Sequence, residues 1–320
     1  MMDWTDRHCR YFHRQLSRNT LLYTEMVTAP ALVRGGAVHL LDHDFGEHPV
    51  ALQLGGADPQ ELAEAARLGE QAGYCEINLN VGCPSDRVKS GCFGAVLMKQ
   101  PALVAACVAA MIEAVSVPVT VKCRIGVDDQ TPQDVLPDFI QRLAACGCAQ
   151  VIIHARMAWL QGLSPKENRD IPPLDYDLVL QMKSAFPDLS IAINGGIEDL
   201  ETACAFLDAG LDSAMIGRAA YHRPGDILAR ADRIVFGQGG DVDMHAAVRA
   251  MLPYIDNHLS AGGRLHQVTR HMLGAFTGRP GARHWRRHLS EAGHQTGAGP
   301  EVVLDALARV PQELDTRATG

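Results

Sequence analysis

Short apolar runs rich in β-branched residues alternate along this chain with longer segments of helical character, and that alternation constrains the fold most. The runs are LLYTEM (21–26), PVALQL (49–54), CEINLNVG (75–82), PVTVKCRIG (118–126), QVIIHA (150–155), LSIAING (189–195) and SAMIG (213–217). Each is short enough for a strand and apolar enough to be buried on both faces. The segments between them carry helix punctuation. Asp58 is placed to cap a helix over 59–72, with Pro59 in its first turn, Glu61 three residues after the cap and Gly73 at its end. Further helices are expected from about Pro101, Pro132, Tyr176 and Asp199. Repeated strand-then-helix units imply a parallel sheet.

An open doubly wound sheet and a closed barrel both fit that count. Two features favour the barrel. Polar residues gather just after strand ends: Asn80 and Cys83, Lys122 and Arg124, His154 and Arg156, and Asn194. The last two strands end in glycines, at Asn194-Gly195-Gly196 and Gly217-Arg218, where barrels often bind phosphate. The expected class is therefore α/β, a (β/α)8 barrel of the TIM type. Seven strands leave one to be found. Because residues 5–18 read as the helix preceding Leu21, the missing strand is expected to be the first, upstream of Met1. The barrel is expected over 1–236, followed by the linker-like GQGGD and a small all-helical domain over 243–311. In that domain Val248, Met251, Leu252, Ile255 and Leu259 fall on one face, and 312–320 form a frayed tail.

Composition narrows the setting. With 320 residues and 47% hydrophobic content the chain can build one large α/β domain and a smaller one. No apolar run reaches the roughly 18 residues of a membrane span, and the N-terminus MMDWTDRHCR has no apolar signal core. A cytoplasmic location is expected, with no membrane association and no evident protein partner. The nine cysteines are scattered without paired CxxC motifs, so no metal site is expected. The net charge of −8 argues against a nucleic-acid-binding surface all round. Yet residues 264–288 hold six Arg, four His and no acidic residue, a local basic stretch compatible with RNA or with an ordinary solvated helix face.

Several residues have chemistry suited to a site at the strand ends. Glycines at 195 and 196 serve either a tight turn or close approach of a ligand. Together with Gly217 and Arg218 they could hold a phosphate through backbone N–H groups and one guanidinium. Lys122, ending an apolar strand, needs an anionic partner if buried. A reduced flavin, a phosphosugar or Schiff-base chemistry would each supply a use for it. His154 stands either as a structural histidine or as a ligand contact in HAR, and Gln53 could both donate to and accept from a planar heterocycle. Cys83 sits in a loop opened by Pro84. An ordinary thiol, with a pKa of about 8.5, is mostly protonated at neutral pH and so can act as a general acid. Cys92, nine residues later, is its rival.

The segments MDWTDRH, YTEM, HPVALQLGG, YCEINLNVGCPSDRV, VPVTVKCRIG, IIHARMAWLQGLSPKENRDIPPLDY, INGGI, MIGRAAY and TRHMLGAFTGRPGARHWRRHLSE together resemble the dihydrouridine synthase family. The resemblance is closest to its A subfamily, which acts on tRNA positions 20 and 20a, and it covers nearly the whole chain. GLSPKENR and GARHWRR are its specific parts. It implies FMN as cofactor, NADPH as electron donor and tRNA as partner. It implies reduction of uridine to 5,6-dihydrouridine in the D-loop, with Cys83 as the catalytic acid and Cys92 not. By it, Gln53, Lys122, His154, Asn194, Gly195, Gly196, Gly217 and Arg218 fall on FMN-binding positions. Asn80, Lys166, Arg169, Arg283 and Arg286 fall on tRNA-contact positions. Two departures stand out. The family begins with an apolar strand ending in Ala-Pro-Met that helps hold FMN, of which only Met1 and Met2 remain here. Where members often read GACLM, this chain reads Gly94-Ala95-Val96-Leu97-Met98. A flavin barrel reducing a small pyrimidine-like molecule and a tRNA-binding protein without catalysis are the alternatives.

Overall fold

The computed structural model describes residues 1–84 and 93–312, and all seven apolar runs are strands in it. They are β1 (Leu22–Thr28), β2 (Val50–Gly55), β3 (Glu76–Val81), β4 (Val119–Arg124), β5 (Gln150–His154), β6 (Ser190–Asn194) and β7 (Ser213–Met215). Each pairs in parallel with the next in chain order. Among the described strands β7 and β1 are not paired with each other. Helices Pro59–Gln71, Pro101–Ala114, Pro132–Ala145, Tyr176–Ala185 and Leu200–Asp208 connect successive strands. Three of them start at an aspartate cap, while Pro101–Ala114 and Pro132–Ala145 start at proline without a side-chain cap. Asp58 accepts from the amides of Gln60 and Glu61 at 2.9 Å, Asp175 from Leu178 N at 2.9 Å and Asp199 from Thr202 N at 2.7 Å.

The two faces of the sheet differ in chemistry. Leu52, Leu54, Ile77, Leu79, Val121, Val151, Ile153, Ile191 and Ile193 are wholly buried in one cluster with helix residues such as Leu62, Val104, Leu136 and Val179. The alternate residues form the inner face, and they are largely polar: Glu76, Asn78 and Asn80 on β3, then Thr120, Lys122 and Arg124 on β4. Both faces are thus buried, as expected for such strands, but the inner one largely through polar side chains. That inner face is concave. Gln150 on β5 donates both to Ser190 Oγ on β6 (2.8 Å) and to Ser213 Oγ on β7 (2.9 Å). Lys122 Nζ on β4 reaches Asn194 Oδ1 on β6 at 2.8 Å. Adjacent strands lie about 4.8 Å apart, so bonds that span an intervening strand favour a sheet curled toward the side chains making them. In β1 the register shifts between Tyr23 and Met26, and there Thr24 Oγ1 takes the Gln53 amide hydrogen at 2.9 Å.

By contacts the chain forms two units. One comprises Met1–Asp3 and Leu21–Gly217, the other Trp4–Thr20 and Arg218–Gly320. The division departs from the expected boundary at 236 at both ends of the sheet unit. Helices Arg218–His222 and Pro224–Ile234 fall in the second unit, and so does the helix Arg7–Arg14, which the sequence reading assigned to the barrel. Specific polar contacts account for this. Asp232 on Pro224–Ile234 accepts from Ser17 Oγ (2.6 Å) and Arg18 N (2.8 Å). Asp6 caps Arg7–Arg14 and also accepts from Arg270 (2.6 Å) and His271 (3.0 Å). Thr277 donates to His222 O at 3.0 Å, and a Cβ on Gly274 would lie 2.7 Å from that oxygen, so only glycine fits the approach. The remaining helices of this unit are Met244–Ala250, Leu252–Ser260, Leu265–Thr269, Ala282–Ala292 and Glu301–Leu307. Val248, Met251 and Ile255 are fully buried, while Leu252 and Leu259 are half-buried. No helix among the described residues is long and apolar enough to cross a membrane.

Asp6 gives a pH-dependent test of this unit. Burial works to raise its pKa, but His271, the Cys9 amide and Arg270 outweigh burial and hold the carboxyl well below the usual range. A depressed carboxylate contributes stability that is full above its unfolded pKa of about 4 and is lost as the pH falls further. Asp6→Asn is expected to cost about 1–3 kcal/mol at neutral pH. The gap from the parent should narrow at pH 3 in urea titrations. A gap independent of pH would refute the assigned role of the charge.

Candidate active site

At the C-terminal ends of β3 and β4 the register sets Asn80 beside Lys122. Asn80 Oδ1 accepts from the backbone amides of Cys83 (2.6 Å) and Gly82 (3.1 Å), and Cys83 O accepts from Ala95 N at 2.9 Å. The half-buried Cys83 is thus pinned just beyond β3. Cys92, its sequence rival, lies outside the described residues. Asn80 also donates to Gln53 Oε1 at 2.8 Å, so the Gln53 amide on β2 belongs to the same cluster.

The ground around Cys83 is cationic. Lys122 has one hydrogen-bond partner among the described residues, Asn194. Burial first, and then the Arg124 guanidinium, push its pKa down to about 8. Arg124 is buried. It donates to the carbonyls of Gly82 (3.2 Å), Met157 (3.1 Å) and Asn168 (2.8 Å), with no carboxylate partner among the described residues. Burial, with Arg169 and Arg156 nearby, lowers its pKa to about 10, while Cys83 acts the other way. Arg124 was noted in the sequence as a strand-end residue but given no role. Here it ties the residue before Cys83 to the loop after β5.

On β6, Asn194 donates to Met215 O at 2.7 Å as well as accepting from Lys122. Gly195 and Gly196 follow with φ of +107° and +69°. A Cβ on Gly195 would lie 2.5 Å from His154 Cδ2, and Tyr176 Oη donates to Gly195 O at 2.7 Å. His154 is buried against this turn. The Met1 sulfur lies 3.4 Å from where a Cβ on Gly217 would stand, while Met2 is exposed. Gln53, Asn80, Cys83, Lys122, His154, Asn194, Gly195, Gly196 and Gly217 therefore all lie in the sheet unit. Arg218 opens the first helix of the other.

The residues expected to meet RNA sit differently. Lys166 and Arg169 are exposed on a loop stapled by the buried Asn168, whose Nδ2 donates to Trp159 O at 2.9 Å and whose Oδ1 accepts from Trp159 N at 2.8 Å. In the second unit the helix Ala282–Ala292 buries Ala282, Trp285 and Leu289 and exposes Arg283 and Arg286. Neither arginine makes an ion pair among the described residues, whereas Arg287 pairs with Glu291 at 2.9 Å. The basic stretch 264–288 is not surface throughout, since His271 is buried between Asp6 and Tyr221. Asn80, by contrast, already spends both ends of its amide inside the protein.

Comparison with known proteins decides what this arrangement belongs to. A profile described as dihydrouridine synthase matches residues 1–311. The chain belongs to the dihydrouridine synthase family. The tRNA-dihydrouridine(20/20a) synthase of Escherichia coli K12 is 59% identical over 312 residues, spanning 97% of this chain and 90% of that one. The enzyme of the same name from Vibrio parahaemolyticus is 56% identical over 317 residues, spanning 98% and 96%. Among solved structures, morphinone reductase superposes with a TM-score of 0.51 at 14% identity, covering 75% of this chain and 83% of that one. That likeness supports a TIM-barrel-like fold. Among the described residues of this family member no group of three or more His, Cys, Asp or Glu is arranged to hold a metal.

The contact between Gly195 and His154 can be tested against a control. Gly210 has φ of +101° but nothing within 4 Å of a Cβ. Gly195→Ala should therefore cost about 1–3 kcal/mol more than Gly210→Ala in denaturant unfolding, the excess being displacement of His154. Equal losses would show that only backbone strain is at stake.

Proposed function

We propose that this protein is an FMN-dependent, NADPH-driven synthase that reduces uridine to 5,6-dihydrouridine in the D-loop of tRNA, at positions 20 and 20a. Membership of the family supports the reaction class. The observation that carries it onto this chain is the Cys83 loop, pinned by Asn80 beside Lys122 and Arg124. In the same reading the curled sheet supplies seven staves of a (β/α)8 barrel, the eighth belonging between β7 and β1. Residues 243–311 act as a helical tRNA-binding region.

The site's chemistry fits the cofactor. Two cations, the half-buried Lys122 and the buried Arg124, stand without a carboxylate partner among the described residues, a setting that favours an anionic ligand. Lys122, Gln53, His154, Asn194, Gly195, Gly196 and Gly217, with Met1, Met2 and Arg218, are the residues assigned to FMN. When bound, FMN supplies the hydride, drawn from NADPH and delivered to uracil C6. Cys83 gives the proton from its sulfur to C5. Asn80 holds the Cys83 backbone in place for that transfer, and Lys122, protonated below about pH 8, places positive charge in the site. Arg283 and Arg286, exposed on one helix, bind tRNA phosphates, with Lys166 and Arg169 as further RNA contacts, while Asn80, whose amide is engaged inside the protein, serves the Cys83 backbone instead.

Cys83→Ala should retain the yellow flavin and form no dihydrouridine by mass spectrometry of tRNA. Full activity in that variant, with loss in Cys92→Ala, would overturn the assignment. Arg283→Glu combined with Arg286→Glu should weaken tRNA binding about tenfold or more and flatten its salt dependence, leaving flavin content unchanged. Loss of flavin in the double variant would contradict a role confined to RNA.

A further inference from the structure

Beneath the candidate site the inner faces of β2, β3 and β4 carry a set of polar side chains that the reaction as described does not use. Glu76, Asn78 and Thr120 are 8%, 0% and 1% exposed. They continue the cluster that begins at Cys83. Cys83 N donates to Asn80 Oδ1 (2.6 Å), Asn80 Nδ2 to Gln53 Oε1 (2.8 Å) and Gln53 Nε2 to Asn78 Oδ1 (2.9 Å). Asn78 Nδ2 donates to Thr120 Oγ1 (2.8 Å), and Thr120 Oγ1 to Glu76 Oε1 (2.6 Å), which also accepts from Tyr23 Oη at 2.7 Å.

Every link points the same way. At one end are the backbone N–H groups of Gly82 and Cys83, which can only donate. At the other is a carboxyl oxygen that accepts twice. A primary amide turned by 180° exchanges its donor for its acceptor. Turning Asn80 would set its NH2 against two N–H groups, and turning Asn78 would set its NH2 against the Gln53 NH2 and its oxygen against the Thr120 hydroxyl oxygen, which already donates to Glu76. In a buried site each mismatch leaves an unpaired polar group. The sense of the chain is therefore fixed at its two ends. A proton carried on Glu76 Oε2 would leave Oε1 free to accept and the sense unchanged.

We infer that Glu76, Thr120 and Asn78 are positioning residues, which fix the orientation of the Gln53 and Asn80 amides and through Asn80 the place of the Cys83 loop. The inference rests on the reading of Cys83 as proton donor for its effect on catalysis, though not for its effect on the loop. Thr120 is the informative link, because valine keeps its shape and removes the hydroxyl that both accepts from Asn78 and donates to Glu76.

The test uses the flavin-loaded protein with Thr120→Val and Thr120→Ser. Three quantities are measured: the rate at which iodoacetamide alkylates Cys83, followed on its own peptide by mass spectrometry; kcat and KM on unmodified tRNA transcript; and the thermal midpoint. Thr120→Val should change the alkylation rate at least about threefold and lower kcat about 10- to 100-fold, with KM for tRNA nearly unchanged. Thr120→Ser should restore both. Parental alkylation and kcat in Thr120→Val, a fall in thermal midpoint as the sole change, or failure of Thr120→Ser to improve on valine would each overturn the inference. Should the valine variant not fold, Thr120→Ala removes the same hydroxyl and carries the same comparison. If the parent protein forms no dihydrouridine, the proposed reaction fails, while the alkylation rates still decide whether Thr120 positions the loop.

Discussion

A side-chain amide buried on the inner face of a parallel sheet must meet both a donor and an acceptor, and that demand organises β2, β3 and β4. An unpaired buried amide costs about 1–3 kcal/mol, comparable to removing a methyl group or two from the core. Gln53, Asn78 and Asn80 meet the demand by satisfying one another, with Thr120 and Glu76 completing the series on the deep side and the Gly82 and Cys83 amides on the shallow side. The apolar residues between them pack on the helices, so each strand serves the core and the site with alternate positions. The same alternation carries Lys122 and Arg124 to the mouth of the curled sheet.

Electrostatics at that mouth is lopsided. Burial lowers the pKa of Lys122 to about 8 and of Arg124 to about 10, and among the described residues neither has a carboxylate partner to offset the cost. The backbone carbonyls that Arg124 engages come from Gly82, Met157 and Asn168, so the guanidinium is spent on joining two loops while its charge remains available. A site of this kind is stabilised by an anion and is poorly suited to a cationic or neutral apolar ligand.

Much of this was written in the sequence. The seven strands and their connecting helices fall within a residue or two of the positions that Asp58, Pro59, Gly73 and the β-branched runs imply. The strand-end residues Gln53, Cys83, Lys122, His154 and Asn194 lie in one unit because parallel strands present the same end to the same side. The inner polar row was also visible, in the strict polar–apolar alternation of Glu76-Ile77-Asn78-Leu79-Asn80-Val81, although the overall apolar composition, which correctly indicated burial on both faces, did not announce that one buried face is polar. The partition of residues 4–20 was not legible. It depends on Asp6 meeting Arg270 and His271, and Ser17 meeting Asp232, across more than 200 positions of chain, and no local pattern encodes such pairs. For the same reason the basic stretch looked more uniform than it is, since nothing near His271 in sequence announces its acidic partner.

That partition has a consequence for how the polypeptide matures. Residues 4–20 are made before the strands of the sheet unit, yet the segment they pack with begins at Arg218, roughly 200 residues later. At about 5–20 residues per second of synthesis, the helix Arg7–Arg14 waits for some ten to forty seconds with Phe12, His13 and Cys9 uncovered. The seven described strands, in contrast, have all been made once Gly217 has been added. Nascent-chain holdases therefore have a defined window and a defined target just ahead of β1, one that closes only when the segment from Arg218 onward has been made.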